Sequence, residues 1–222
     1  MKTILITGAN RGIGLAMAGL YKDRGEHVIA VCRDSSPELD SLGVRVEAGV
    51  DVTGGDSLRR LAARLDDVRI DVLVNNAGVM RETDFEQVEQ QLDDYRLQFE
   101  VNALAPLRVT SALLDRLSDD ARVVIVSSRM GSLADNTSGS HYGYRISKAA
   151  ANMAGVTMAH ELKEKGIAVG LLHPGYVRTG MTGNTGDIDP ADAARGLIRR
   201  IDELTLKNAG GFRHANGEEL PW

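Results

Sequence analysis

Cysteine is almost missing from this chain: among 222 residues only Cys32 carries a thiol. One thiol closes no intramolecular disulfide and builds no multi-cysteine zinc site, so the composition suits a reducing compartment and a cytoplasmic location is expected. The histidines, His27, His141, His160, His173 and His214, form no close sequence cluster, and no metal is expected. Positive charge is also short. Lys and Arg number 26 against 31 Asp and Glu, a formal net charge of -5, which leaves no general electrostatic reason to bind nucleic acid. No segment of about 20 residues is free of charge or strong polarity, as a membrane-spanning helix would require. The opening MKTILITGAN passes from an apolar pentad straight into a turn, without a signal-peptide hydrophobic region and cleavage site. Aromatics are few, one Trp, five Tyr and three Phe, which argues against an aromatic-rich binding surface.

Glycine is what the chain has in quantity, 24 residues, and 43% of the sequence is apolar, enough for one sizeable core. Apolar, β-prone runs fall at 3–7, 27–31, 44–50, 71–75, 122–127 and 167–172. Most lack period-2 alternation, as expected of parallel strands covered on both faces. Helix-length segments lie at 12–24, 57–66, 95–117 and 143–165, with a last one at 190–204, and a short strand is expected at 211–213. The last helix has a clear start, with Asp189 as its cap and Pro190 in its first turn. The terminal Trp222 is expected to pack on the body. No linker or repeat divides the chain, so residues 1–222 read as one α/β domain.

The first apolar run leads into Thr7-Gly8-Ala9-Asn10-Arg11-Gly12-Ile13-Gly14 and then an apolar helix. Glycines there permit a sharp turn and close approach of a ligand, while a helix N terminus offers N–H groups to a pyrophosphate. The loop lacks the Lys-Ser/Thr ending of a nucleoside-triphosphate loop, so a dinucleotide is favoured over a nucleoside triphosphate, and its place after the first strand of an alternating chain favours a cofactor over a mere tight core turn. At the end of the second strand the chain reads Val31-Cys32-Arg33-Asp34, where an acid would grip the ribose of NAD(H). Arg33 with Arg11 fits a 2'-phosphate instead, which points to NADP(H), with NAD(H) still open because Asp34 could swing toward a ribose.

Downstream, Asn75-Asn76-Ala77-Gly78 ends another strand at the edge where open α/β sheets bind ligands, and Ala77 and Gly78 leave room for a cofactor. Tyr144 and Lys148 share one helix face a turn apart. An ammonium beside a phenol lowers its pKa from about 10 toward neutrality and lets it exchange a proton while hydride moves. Taken alone, the pair is a weak signal, since Tyr-x3-Lys is frequent on helices and ordinarily describes a half-buried Tyr beside a solvated Lys. Ser128 ends the preceding strand, where its hydroxyl could meet a substrate oxygen; strand alternation allows only one of Ser127 and Ser128 to do so. Asn102, a poor helix former inside a long helical segment, suggests a local irregularity and a water leading to Lys148.

Taken together, TGANRGIG at 7–14, NNAG at 75–78, Asn102, Ser128, Tyr144-Arg-Ile-Ser-Lys148 and His173-Pro174-Gly175 resemble the short-chain dehydrogenase/reductase family over nearly the whole chain. The tail Gly217-Glu-Glu-Leu-Pro-Trp222 is similar to that of its small, C-factor-like carbonyl reductases. The resemblance implies a Rossmann-type doubly wound, mainly parallel seven-stranded sheet with helices on both faces. It also implies Tyr144 as acid/base, Lys148 as its partner and a ribose ligand, Ser128 polarising the substrate and Asn102 holding a relay water. Gly8, Gly12, Ile13 and Gly14 would line the pyrophosphate, Asp51 and Val52 the adenine, and Asn76, Ala77 and Gly78 the ribose. Pro174, Gly175, Val177 and Thr179 would meet the nicotinamide. Gly180 departs from the family's frequent Asp after that Thr.

The activity so implied interconverts a small carbonyl compound and an alcohol with NADP(H). Met130, Leu133, His141 and Met181 are candidates for the substrate mouth, and the segment from Gly175 to Asp189 for a mobile rim. A homodimer, or a homotetramer, is implied through the outer faces of 95–117 and 143–165, with Ala149, Ala150, Met153 and Val156 as packing positions. A nucleotide-binding signalling or scaffold protein is the alternative. A sugar-nucleotide epimerase is disfavoured, since the chain after Gly175 is too short for a second substrate domain.

Overall fold

The order of the strands in space, not in sequence, creates the crevice on which the molecule depends. The computed structural model describes residues Met1–Trp222. Seven strands, β1 (Thr3–Thr7), β2 (His27–Val31), β3 (Arg45–Glu47), β4 (Ile70–Asn75), β5 (Leu117–Val126), β6 (Ala168–His173) and β7 (Phe212–His214), form one sheet in the order β3-β2-β1-β4-β5-β6-β7. Every pairing is parallel. The chain winds outward from β1 to one edge and from β4 to the other, so the loops leaving these two strands part and open a cleft at their carboxyl ends.

Helices α1 (Gly12–Asp23), α2 (Pro37–Ser41), α3 (Gly55–Arg64), α4 (Leu92–Phe99), α5 (Ala105–Ala112), α6 (Tyr142–Leu162) and α7 (Pro190–Asp202) cover both faces. Alternation along each strand divides the core in two. Ile4 and Ile6 meet Met17, Tyr21, Leu197 and Ile201 on one side, while Leu5 and Leu73 meet Leu58, Leu61, Val109 and Ala151 on the other. No helix is long and apolar enough to cross a membrane.

Several expected elements differ. The strand expected over 44–50 pairs only from Arg45 to Glu47, because Gly49, at φ +72°, turns the chain so that its N–H meets Arg33 O. The single helix expected over 95–117 is α4, a five-residue π turn (Glu100–Leu104), α5 and a 3-10 turn (Leu114–Arg116). The α2 turn went unforeseen, though Ser36 caps it by accepting from Leu39 N at 3.1 Å with Pro37 following. Asp189 stands at the start of α7 but does not cap it; its carboxylate accepts from Arg178 Nε at 2.9 Å. Trp222 does pack, stacking on Phe212 with ring centroids 5.4 Å apart, and its carbonyl accepts from Ala134 N.

The β6–β7 register sets His173 beside His214, their rings edge to face at 4.9 Å. Burial, then His214, Arg129 and Lys148, pushes His173 down to about 3, and burial also lowers His214. Between the ordinary histidine value and that depressed one, the unfolded chain binds a proton that the folded chain refuses. This contribution to stability is therefore complete above about pH 6.5 and is lost as pH falls. Urea midpoints of the parent should drop between about pH 7.5 and pH 5.5, and His173→Phe should flatten that slope; equal slopes would contradict the assignment.

Candidate active site

Two loops leave the carboxyl ends of β1 and β4, and side-chain hydrogen bonds stitch them together. Thr7 Oγ1 accepts from the N–H groups of Asn76 and Ala77, each at 3.1 Å. Asn76 Nδ2 donates back to Thr7 O at 2.9 Å and Gly8 O at 3.1 Å. Such proximity demands glycine. Gly8 is left-handed, at φ +66°, and a Cβ there would lie 2.9 Å from Ala77 Cα. A Cβ on Gly14 would collide with Gly8 O and stand 2.6 Å from Asn76 Nδ2. Arg11 occupies the N-cap position of α1 without capping it, so the N–H groups around Gly12, Ile13 and Gly14 face the cleft without a side-chain acceptor. Gly12, at φ +55°, lies against Thr179 from the opposite wall.

Further along the crevice, Cys32 is buried, whereas Arg33 and Arg11 are exposed. Asn10 Nδ2 donates to Asp34 O at 2.9 Å, tying the glycine loop to the end of β2. Asp51 is spent locally: its carboxylate accepts from Thr53 N and Oγ1, which hold it below the usual carboxylate range, with Arg33 nearby adding to the effect. Val52, beside it, is half-buried.

The polar candidates converge on the β5–α6 side of the cleft. Ser127 and Ser128 diverge as strand alternation requires, Ser127 donating to Asn152 Oδ1 at 2.5 Å inside the core. Ser128, 8% exposed, lies on the Tyr144 side, where its hydroxyl opposes the burial-driven rise of the phenol. Gly131, in the turn after Ser128, packs so closely on α6 that a Cβ would sit 2.7 Å from the backbone carbon of Lys148. Asn102 does mark an irregularity, since it lies within the π turn, 1% exposed. Its Oδ1 accepts from Val79 N at 2.9 Å, and its Nδ2 donates to Val79 O at 2.8 Å and to Ser147 Oγ at 3.0 Å. Ser147, overlooked in sequence although it precedes Lys148, completes the link by donating to Tyr144 O at 2.8 Å. Asn102 Oδ1 and Lys148 Nζ stand 3.2 and 3.8 Å from the point where a Gly78 side chain would begin, so Gly78 keeps that corner open.

One expectation needs correction. The Tyr144 phenol is not lowered here; burial pushes it up to about 12, with Ser128 acting against the rise. Lys148 lies over the face of the Tyr144 ring, 5.7 Å from its centroid, and donates to Val126 O at 2.9 Å. Burial also lowers Lys148 to about 8. Its charge is thus placed against the ring and a strand carbonyl. The rim is also less free than its glycines suggested. Pro174 is buried, Gly175 turns at φ +96° against Ile188, and Val177 pairs with Ile188. Thr179 and Thr182 cap one another's turn, and Arg178 bonds Asp189 and Gly186 O.

The sequence and the fold both have counterparts among known proteins. Residues 2–189 match the short chain dehydrogenase family. The chain is 45% identical, over the full length of both proteins, to 1-hydroxy-2-glutathionyl-2-methyl-3-butene dehydrogenase of Rhodococcus sp. (strain AD45). It is 43% identical to the C-signal protein of Myxococcus xanthus over 74% of this chain and 100% of that one. The NADPH-bound carbonyl reductase from chicken fatty liver superimposes with a TM-score of 0.90 at 28% identity, covering 100% of this chain and 99% of the other. A family pattern over most of the chain, a full-length dehydrogenase relative and a carbonyl reductase of the same shape converge on one conclusion: the protein belongs to the short-chain dehydrogenase family and is an oxidoreductase.

Proposed function

We propose that the protein interconverts a small or moderately apolar carbonyl compound and its alcohol, prefers NADP(H), and uses Tyr144 as the proton donor and acceptor. The observation that carries this reading is the joint burial of Tyr144 and Lys148 on α6 with Ser128 beside the phenol, at the edge of the stitched cleft. The residues present fit a dinucleotide: Gly8 and Gly14 permit close approach, the start of α1 is uncapped, and Arg11 and Arg33 enter no ion pair. Bound nicotinamide would supply or accept the hydride. Ser128 would align the substrate oxygen. Tyr144, protonated at neutral pH, would give its proton to the developing alkoxide during reduction. Lys148 retains most of its charge at neutral pH, and its remaining N–H groups would serve the phenol oxygen and ribose hydroxyls. Asn102 Nδ2 is committed to Val79 O and Ser147 Oγ, whereas its Oδ1 accepts only from Val79 N and keeps a second lone pair beside the corner that Gly78 leaves open, where it would hold a relay water.

A homodimer is supported by the outward face of α6, where Ile146 is 53% and Met153 69% exposed. Val156 does not belong to that face; it packs inward on Leu171, Phe212 and Leu220. A second reading, nucleotide-dependent signalling, draws on the similarity to C-signal. Cofactor fluorescence followed by a carbonyl and alcohol panel, with a glutathione-thioether alcohol included on the strength of the Rhodococcus relative, separates the two. Binding without hydride transfer to any compound would favour signalling.

With one confirmed substrate, Tyr144→Phe should lower kcat by at least about 10²-fold while cofactor affinity stays within roughly threefold. Lys148→Met should damage both, and Ser128→Ala chiefly turnover. Near-parental turnover in Tyr144→Phe would defeat the mechanism. Arg33→Ala should weaken NADP(H) about 10- to 100-fold, the loss of a charge-assisted contact, and leave NAD(H) unchanged. Parallel titrations at fixed ionic strength decide it, and an equal loss for both cofactors would remove the phosphate role.

A further inference from the structure

Tyr144 is the third residue of α6, and the helix begins without a cap of its own. His141 at the N-cap position is left-handed, φ +52°, after Ser140 at φ +58°, and its side chain accepts nothing from the first turn. The orphan N–H groups of that turn need acceptors from elsewhere. One comes from far away in sequence. Gly143 N donates at 2.9 Å to Oγ1 of Thr83, which lies between β4 and α4 and is 2% exposed. The backbone near Thr83 is itself held by Gln98, 0% exposed, whose Oε1 accepts from Arg81 N at 3.0 Å while its Nε2 donates to Asp94 O. A Cβ on Gly143 would come within 2.6 Å of Gln98 Nε2 and 3.3 Å of Thr83 Cγ2, so the glycine is what admits the contact.

We infer that Thr83 is a positioning residue for the catalytic tyrosine. Its hydroxyl fixes the first turn of α6 and thereby the distance from the phenol to Ser128 and the substrate oxygen. The segment that carries Thr83 starts at Asn76–Gly78 and is clamped by Asn102 at Val79, so the cofactor-facing loop and the catalytic helix are located by one set of buried hydrogen bonds. The inference rests on Tyr144 transferring the proton. Proton transfer is sensitive to small displacements, whereas cofactor binding draws on many contacts away from this turn.

The test compares Thr83→Val, which keeps the shape and removes the acceptor, with Thr83→Ser, which restores it, in the full chain with one confirmed carbonyl substrate and Tyr144→Phe alongside. Thr83→Val should lower kcat about 10- to 100-fold, leave the NADP(H) dissociation constant within about threefold, and enlarge the solvent deuterium isotope effect on kcat as the proton step becomes limiting. Thr83→Ser should recover kcat to within about threefold of the parent. A kcat for Thr83→Val within twofold of the parent, a loss with an unchanged isotope effect, or a Thr83→Ser variant as impaired as Thr83→Val would overturn the inference. Should Thr83→Val fail to fold, Gly143→Ala, which presses a methyl on Gln98, carries the same expectation of lost turnover with retained cofactor affinity, and near-parental turnover there is equally fatal. If Tyr144→Phe is active, the assignment of the proton step fails; if it is inactive while Thr83→Val is not, only the positioning role fails.

Discussion

The hydrogen-bonded stitch between the ends of β1 and β4 is the constraint on which the rest of the structure depends. A parallel sheet whose connections diverge at its centre leaves two loops with unpaired backbone groups at one edge. Here the Thr7 hydroxyl accepts the N–H groups of Asn76 and Ala77, and the Asn76 carboxamide returns to the carbonyl oxygens of Thr7 and Gly8. The loops can approach this closely because Gly8 and Gly14 present no side chains to each other or to Ala77. The same absence leaves the floor of the cleft lined with backbone, and the N terminus of α1 opens onto it.

A second set of bonds locates α6 relative to that floor. Asn102 clasps Val79 in both directions and reaches Ser147, which in turn holds the carbonyl of Tyr144. Ser127 is tied to Asn152 on the same helix, and Gly131 lets the turn after Ser128 lie directly on the backbone at Lys148. Buried polar groups are costly unless satisfied, and satisfied ones restrict the alternatives available to the backbone. The π turn at Glu100–Leu104 is where the helix gives up its regular ladder so that Asn102 can face this network.

Burial also sets the electrostatic starting point. Tyr144 raised and Lys148 lowered are both responses to a dry environment, and each favours the form with less charge. The lysine is held close to the ring by Val126 O, poised beside the phenol rather than hydrogen-bonded to it. His173 and His214, at the paired ends of β6 and β7, are both lowered as well, burial being the largest cause for each.

Alternation of apolar runs with helix-length segments determined the α/β class and most strand positions, because burial on both faces leaves an unmistakable composition in β1, β2, β4 and β6. The glycine spacing after β1 and the Tyr144–Lys148 spacing on α6 were equally legible, since close approach and a shared helix face are local consequences of residue type. Tertiary structure decided what depends on contacts distant in sequence. The length of β3 is set by Gly49 turning back onto Arg33, and the break in the 95–117 helix by Asn102 meeting Val79 and Ser147. Asp189 abandons its cap for Arg178, a partner that no local propensity could name. Thr83 reaches α6 60 residues away, and only the fold brings that hydroxyl to Gly143. The direction of the Tyr144 shift was likewise beyond sequence: spacing places a charge near a ring, but desolvation, which raises the phenol against the lowering hydrogen bond of Ser128, is a property of everything packed around it.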